Sequence, residues 1–257
     1  MAPESRRGER HPLQSESGGE RIVIVGTGEW GAVAFEYFRY DSPHEVVAFS
    51  AEALFITSDT YYGLPVVPFE ELAQAYPPDE YRAFVAASSV QLNRVRRRLY
   101  DGVKAAGFDC VSYVSSHASV LPGVEIGENV FVQEHAELAF MSRLGDNVLL
   151  GCGVCVGHGS VIENDCYAGP HATVCGLNTV GRSTFLGAHS CITEGVGVAE
   201  DCVIGAGAVV WEDTERRQVY VGNPAHPTGR DSFDTFGVPP GSVTPMDYPQ
   251  EPPTRRS

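Results

Sequence analysis

Basic residues are scarce in this chain: 18 Lys and Arg stand against 33 Asp and Glu, a formal net charge of −15 over 257 residues. Binding to nucleic-acid phosphates needs clustered cations, so charge argues against an RNA or DNA partner. The one basic cluster, Arg94 to Arg98, falls in a segment of helical pattern and is expected to be a solvated helix face. Long apolar runs are missing too. No stretch approaches the length that spans a bilayer, and no membrane partner is expected. Residues 1–20 lack the apolar segment of a signal peptide. An even set of cysteines is also absent. There are 7, and all but Cys110 (Cys152, Cys155, Cys166, Cys175, Cys191 and Cys202) lie in one stretch. They read as reduced thiols of a cytoplasmic protein, packing as small residues. Cys152 and Cys155 have C-x-x-C spacing, but no second pair follows to complete a metal site.

Between Val114 and Trp211 both familiar periods are missing: neither a 3.6-residue helix pattern nor simple strand alternation describes the text. A period of six takes their place. Ile126, Val132, Leu138, Leu144, Leu150 and Val156 begin a series that runs on to Val210 and back through Val120 to Val114. Every member is aliphatic. Four residues after each anchor sits a small or compact residue, as at Ala136, Ser160, Ala172 and Ala208. Glycine often follows the anchor directly, as at Gly127, Gly145, Gly187 and Gly205, and is expected to supply backbone angles that other residues resist. Such a frame fits a β-solenoid in which each unit is a short strand plus a corner, three units making a triangular coil.

The pattern resembles the hexapeptide-repeat, left-handed β-helix acyltransferases. The left hand is what the resemblance implies, since most parallel crossovers are right-handed.

Residues 1–20 are charged and rich in Gly and Ser, and are expected to be a disordered tail. From Arg21 strands alternate with helices, which predicts a small parallel α/β domain over 21–113. Its first strand, RIVIV, leads into Gly26-Thr27-Gly28-Glu29-Trp30-Gly31, a G-x-G-x-x-G turn that opens a helix. The turn alone leaves two readings open: a tight strand-to-helix connection, or a cradle for a diphosphate at a helix N-terminus. NAD is not expected, because the second strand ends at Phe49-Ser50 and the nearest acid, Glu52, lies beyond it.

Residues 21–225 are similar to one branch of the hexapeptide enzymes, the sialic acid O-acetyltransferase and nucleotide-amino-sugar N-acetyltransferase group. The closing segment Val221-Gly222-Asn223-Pro224-Ala225 carries that likeness beyond the last coil. The resemblance implies an α/β plus all-β chain: a Rossmann-like nucleotide-sugar-binding domain over 21–113 and a left-handed β-helix acyltransferase domain over 114–225. It also places Gly28, Glu29 and Trp30, with Gly26 in the same turn, against the sugar nucleotide.

Acyl transfer from a thioester needs a base for the nucleophile's proton, donors for the oxyanion, and both substrates held in reach. Histidine titrates in the right range for the base. The family's catalytic histidine falls mid-helix in an H-[DE]-C segment, a place filled here by Val156-Gly157-His158-Gly159-Ser160. His158 is therefore the expected base. Two departures stand beside it. The acid that follows the base in some members is Gly159 here, and a second histidine of some relatives aligns with Tyr167. His171, four residues later, is the second expected catalytic residue, with a role in substrate contact or orientation.

His117, His135, His171 and His189 are spaced by multiples of one coil and are expected to form a column, with Gly153 in its gap and His158 in another column. Stacked histidines admit a different class, a metal enzyme of the γ-carbonic-anhydrase kind. The favoured reading is that the column lines a polar subunit seam or a solvent face and holds no metal. A non-catalytic nucleotide-sensing scaffold is a further alternative, motivated by Gly159. The resemblance implies acetyl-CoA as co-substrate along a groove between parallel β-helices, near Gly187, Ala188, Gly205 and Ala206, and a homotrimer that shares its sites. Residues 226–257 are expected to be a loosely draped Pro-rich tail, with docking of Phe233 and Phe236 left undecided.

Overall fold

The computed structural model describes residues 18–241. The N-terminal tail expectation falls, up to residue 17, outside the described residues, as does the chain after residue 241.

Strand β1 (Arg21–Val25) has four successive buried residues after Arg21, the mark of a strand covered on both faces. It is followed by α1 (Glu29–Asp41), β2 (Glu45–Ala51), the hairpin of β3 (Thr60–Tyr61) and β4 (Leu64–Pro68), α2 (Leu72–Ala75), β5 (Arg82–Val85) and α3 (Arg94–Ala105). The sheet order is β3-β4-β2-β1-β5, parallel except for β3. The order turns back at β1, which lies between β2 and β5. A crevice therefore opens at the C-terminal ends of β1 and β5.

The hexad frame becomes a parallel β-helix of two-residue strands, β6 (Tyr113–Val114) to β22 (Val209–Val210). Each strand pairs with the strand one coil on, so Phe131, Leu149, Tyr167 and Phe185 stack in register on one face. We call this face one. Face two carries Glu137, Cys155, Thr173 and Cys191, and face three carries Arg143, Val161 and Thr179. The anchors point inward: Val132, Leu138, Leu150, Val156 and Val174 are 0% exposed and belong to one continuous core. Full burial of such a side chain contributes about 1.5–3 kcal/mol.

The corners differ from expectation in one respect. Left-handed backbone falls on the third residue after each anchor from Val120 to Ile204, as at Asn129, His135, Met141 and Asn147, with φ between 53° and 60°. The glycine directly after the anchor serves another purpose: a Cβ on Gly187 would lie 2.5 Å from the Ala206 nitrogen of the next coil. That glycine lets coils stack closely.

The basic cluster is not a solvated face. Arg94 and Arg96 are 7% and 2% exposed. Arg96 donates to the Asn147 side chain (3.2 Å) and to the carbonyls of Asn147 (3.1 Å), Asp165 (3.2 Å) and Cys166 (3.0 Å). Its partners belong to a buried ladder at the corner between faces three and one. There Asn129 donates to Asn147 (2.9 Å), and Asn147 to Asp165 (2.8 Å). Arg94 pairs with Asp201 at the same corner, two coils beyond Asp165. The polar side of α3 thus packs on a polar seam, and this docks the α/β domain on the β-helix. Asn129 completes the joint by accepting from the Val85 amide at 2.7 Å and donating to its carbonyl at 3.2 Å.

The expected draped tail is also corrected for its first part. After β23 (Gln218–Val221) the chain folds back as β24 (His226–Asp231), antiparallel to β23, and ends in α4 (Ser232–Phe236). Phe233 is buried against Leu92, Val203 and Val219, apolar residues that need a cover. No helix among the described residues is long and apolar enough to cross a membrane.

Candidate functional site

The glycine turn is built by packing at two of its three glycines. Gly26 has φ 136° and faces the Ala86 carbonyl with no room for a Cβ; Gly31 meets the Gly26 carbonyl in the same way. Gly28 is different. It is exposed, and open space lies where its side chain would be. It caps α1 with extended backbone and no side-chain hydrogen bond, so the first amides of the helix point outward unscreened. The Tyr61 hydroxyl donates to the Gly28 carbonyl at 3.3 Å. Glu52 is engaged elsewhere, accepting two hydrogen bonds from Arg98 at 2.8 and 2.9 Å, which hold its carboxyl below the usual range.

From this turn α1 faces the β-helix. Trp30 meets Phe131 and Tyr167 edge-on, each at 6.4 Å between ring centroids. Tyr167 lies on face one, stacked on Phe185 at 4.9 Å, and so lines the joint between the domains. The Tyr37 hydroxyl donates to Glu134 at 2.6 Å, and burial followed by that carboxylate pushes its pKa up. Glu134 precedes His135 at the corner between faces one and two. The glycine turn therefore shares a side of the prism with the histidine column.

The column forms, as two pairs. His171 stacks on His189 at 5.0 Å, and His117 faces His135 at 6.4 Å. The His171 ring leans over Gly153, filling the gap that the spacing left. Among the described residues no three His, Cys, Asp or Glu side chains converge as a metal site. The remaining expected positions lie at the same corner, further along the helix. Gly187 and Gly205 give their amides to the carbonyls of Ile204 (2.7 Å) and Tyr220 (2.8 Å). The Gly187 and Gly205 amides are therefore taken up within the coil stack.

His158 is elsewhere. It follows Val156 on face two and projects, exposed, from the corner between faces two and three, which is the edge opposite face one. Its ring lies over Gly176 of the next coil, where a Cβ would collide with it. Its neighbours along the edge are apolar and exposed: Phe140, Met141, Leu177 and Trp211 are 54–61% accessible. One chain thus brings the glycine turn, His171 and the Gly187–Ala188 and Gly205–Ala206 positions to the corner between faces one and two, and puts His158 on the next corner, across face two. Tyr37, Glu134 and Tyr61 belong to no motif: the contact between α1 and the corner reveals the first two, and the approach of β3 to Gly28 reveals Tyr61.

Comparison with known proteins agrees with this architecture. The family model described as the hexapeptide repeat of succinyl-transferase matches residues 178–211. No curated protein matches the chain in sequence. Among solved structures, the acetyltransferase domain of PglB from Neisseria gonorrhoeae is similar at TM-score 0.74 and 25% identity, covering 81% of this chain and 100% of that one. The same domain in complex with acetyl coenzyme A gives TM-score 0.73 and 25% identity, covering 82% and 100%. A histidine-to-asparagine variant of perosamine N-acetyltransferase from Caulobacter crescentus, in complex with CoA and GDP-perosamine, gives TM-score 0.72 and 28% identity, covering 83% and 98%. In repeat and in fold, this chain is similar to these sugar N-acetyltransferases, and residues 178–211 match the hexapeptide repeat.

Proposed function

We propose that the protein is an acetyl-CoA-dependent acyltransferase that acetylates an amino or hydroxyl group of a nucleotide-linked sugar. The N-terminal unit is then a Rossmann-like domain whose turn at Gly26, Gly28, Glu29 and Trp30 receives the sugar nucleotide, with diphosphate oxygens at the open amides of α1. Acetyl-CoA lies along the corner that carries Gly187, Ala188, Gly205 and Ala206, and His171 orients the acceptor there.

The observation that carries this reading is the separation of the expected site residues onto two different corners. Substrate positions stand at one border of face two and His158 at the other, so a second copy that brings its His158 edge to the first corner completes the site. The exposed apolar residues of that edge are suited to such burial. A closed homotrimer in the cytoplasm, each site shared by neighbours, meets the requirement.

In the assembled site the neutral His158 imidazole takes a proton from the acceptor hydroxyl, or from the amine once its ammonium proton is gone. The acceptor attacks the thioester carbonyl, and a backbone amide of Ala188 or Ala206 holds the oxyanion. Collapse expels the CoA thiolate, which takes the proton back from the imidazolium. General-base help contributes about 10²–10⁴-fold.

The test is acetyl-CoA consumption, followed by chromatography, with a panel of GDP-, UDP- and dTDP-linked sugars and amino sugars. Wild type and His158→Ala run side by side, with and without chelator. Turnover of one acceptor, lost in the variant and indifferent to chelator, is the expected result. Full activity of the variant removes His158 from the chemistry.

A further inference from the structure

The loop of residues 86–93 joins β5 to α3 and walls the crevice opposite the glycine turn. The Ala86 amide donates to the Val25 carbonyl at 2.8 Å, and its own carbonyl faces Gly26. Ala87, with Trp30, Ala34 and Phe131, encloses a cavity of about 10 Å³ beneath the turn. The far end of the loop is strained. Gln91, Leu92 and Asn93 have φ of 53°, 49° and 66°, three left-handed residues in succession and none of them glycine. L-residues adopt that backbone at a cost, and a run of them persists only where surrounding contacts over-determine it.

Those contacts come from the far end of the chain. Leu92 is 0% exposed, packed with Val203, Val219 and Phe233. Arg94 donates to the Leu92 carbonyl at 2.9 Å and pairs with Asp201, whose own carbonyl accepts from the Ser232 hydroxyl at 2.6 Å. Two guanidinium groups lie over the Phe233 ring, Arg94 at 4.8 Å and Arg217 at 4.2 Å, and Arg217 is held by Asp231 at 2.7 Å. Leu92 and Arg94 thus join the strained turn to Phe233 and to the coil beneath it, and Arg217 and Asp201 hold the β24–α4 segment in place around them.

We propose that β24 and α4 form a clamp that holds the 86–93 loop in the shape that receives the nucleoside diphosphate, with Phe233 as its positioning residue. The inference rests on the nucleotide-sugar reading of the crevice. Phe233 touches no substrate. It acts through Leu92 and Arg94, so its loss is felt at the crevice and not at the acyl-CoA corner.

Two measurements test it on the full chain. The first is hydrogen exchange of the 86–93 amides in wild type, Phe233→Ala and Phe233→Tyr. The clamp predicts at least tenfold faster exchange in the alanine variant, unchanged exchange across Val130–Val180, and recovery with tyrosine, which keeps the ring. The second is calorimetric binding of GDP, UDP, dTDP and CoA. Phe233→Ala is expected to weaken whichever diphosphate binds by about tenfold, leave CoA affinity unchanged, and be rescued by Phe233→Tyr. Arg217→Gln, a milder change that removes one cation from over the ring, shows the same pattern at smaller size and serves if Phe233→Ala does not fold. Equal loss of diphosphate and CoA, or unchanged loop exchange, overturns the clamp. Wild type that binds no diphosphate overturns the nucleotide reading instead, and the exchange result still decides whether the clamp exists.

Discussion

The imidazole of His158 occupies the space that any side chain at Gly176 would need. The two residues are one coil apart on the same corner, and the glycine gives the ring its seat. The nearest atoms to a Cβ at Gly176 all belong to the His158 ring, the movable end of a side chain.

Gly176→Ala is therefore expected to displace the ring and spare the fold. Misplacing a catalytic group by about 1 Å costs on the order of 10²-fold. The turnover number should fall by about that factor, with little change in melting temperature. Unchanged turnover would show that the ring's seat is unimportant to catalysis.

If sites are shared between copies, two inactive variants repair each other. A chain with His158→Ala still offers the glycine-turn side, and a chain with Trp30→Ala still offers the histidine. In randomly mixed rings about a quarter of the interfaces pair two intact sides. Unfolding and refolding the two variants together should restore about a quarter of wild-type activity. No recovery, with mixed oligomers confirmed by mass spectrometry, would mean that each chain completes its own site.

Asp41 ties the end of α1 to the start of the β-helix, accepting from Tyr113 (2.8 Å), Ser115 (3.2 Å) and the Ser116 amide (2.8 Å). Burial raises its pKa, but these donors outweigh burial and hold it below the ordinary carboxylate value. A depressed carboxylate contributes stability that is present above its unfolded pKa and lost as pH falls through the folded one. Asp41→Asn should then lose about 1–2 kcal/mol near neutral pH. That difference should shrink towards zero as the pH drops well below the carboxylate range. Urea unfolding of both proteins at the two extremes gives the comparison, and a difference independent of pH would rule out the carboxylate as its source.

Arg96→Met should be the most damaging change at the domain joint. It removes the donor that the Asn147 and Asp165 carbonyls share, and a buried acceptor left unsatisfied costs about 1–3 kcal/mol. The loss is to be read from urea midpoints. Arg97→Met, on the same helix but partly accessible, is the control and should cost far less.

The β-helix was legible because its signal is redundant: every sixth residue repeats one packing demand, and each anchor became the second residue of a two-residue strand. The split between His158 and the His171 column also follows from the count of residues around one coil. The joint between domains was hidden. Arg94 and Arg96 carry the text of a solvated helix, and only pairing with Asn147, Asp165 and Asp201 makes their burial tolerable. That ladder is spaced by whole coils, yet its meaning depends on a partner from another domain. Phe233 was ambiguous for the same reason, because its pocket is assembled from Leu92, Val203 and Val219, distant in sequence.

A stack of identical rungs has no intrinsic reason to end. Its last coil offers unpaired backbone groups to the first coil of another molecule, an invitation to filaments. On face one, β24 withdraws that invitation. It runs against the grain of every other strand on the face, carries Pro227 and Gly229, and presents mostly exposed residues outward. An incoming parallel rung meets the wrong direction and a missing donor. The segment that follows the last repeat therefore closes face one to further rungs, and turns one edge built for repetition into an end.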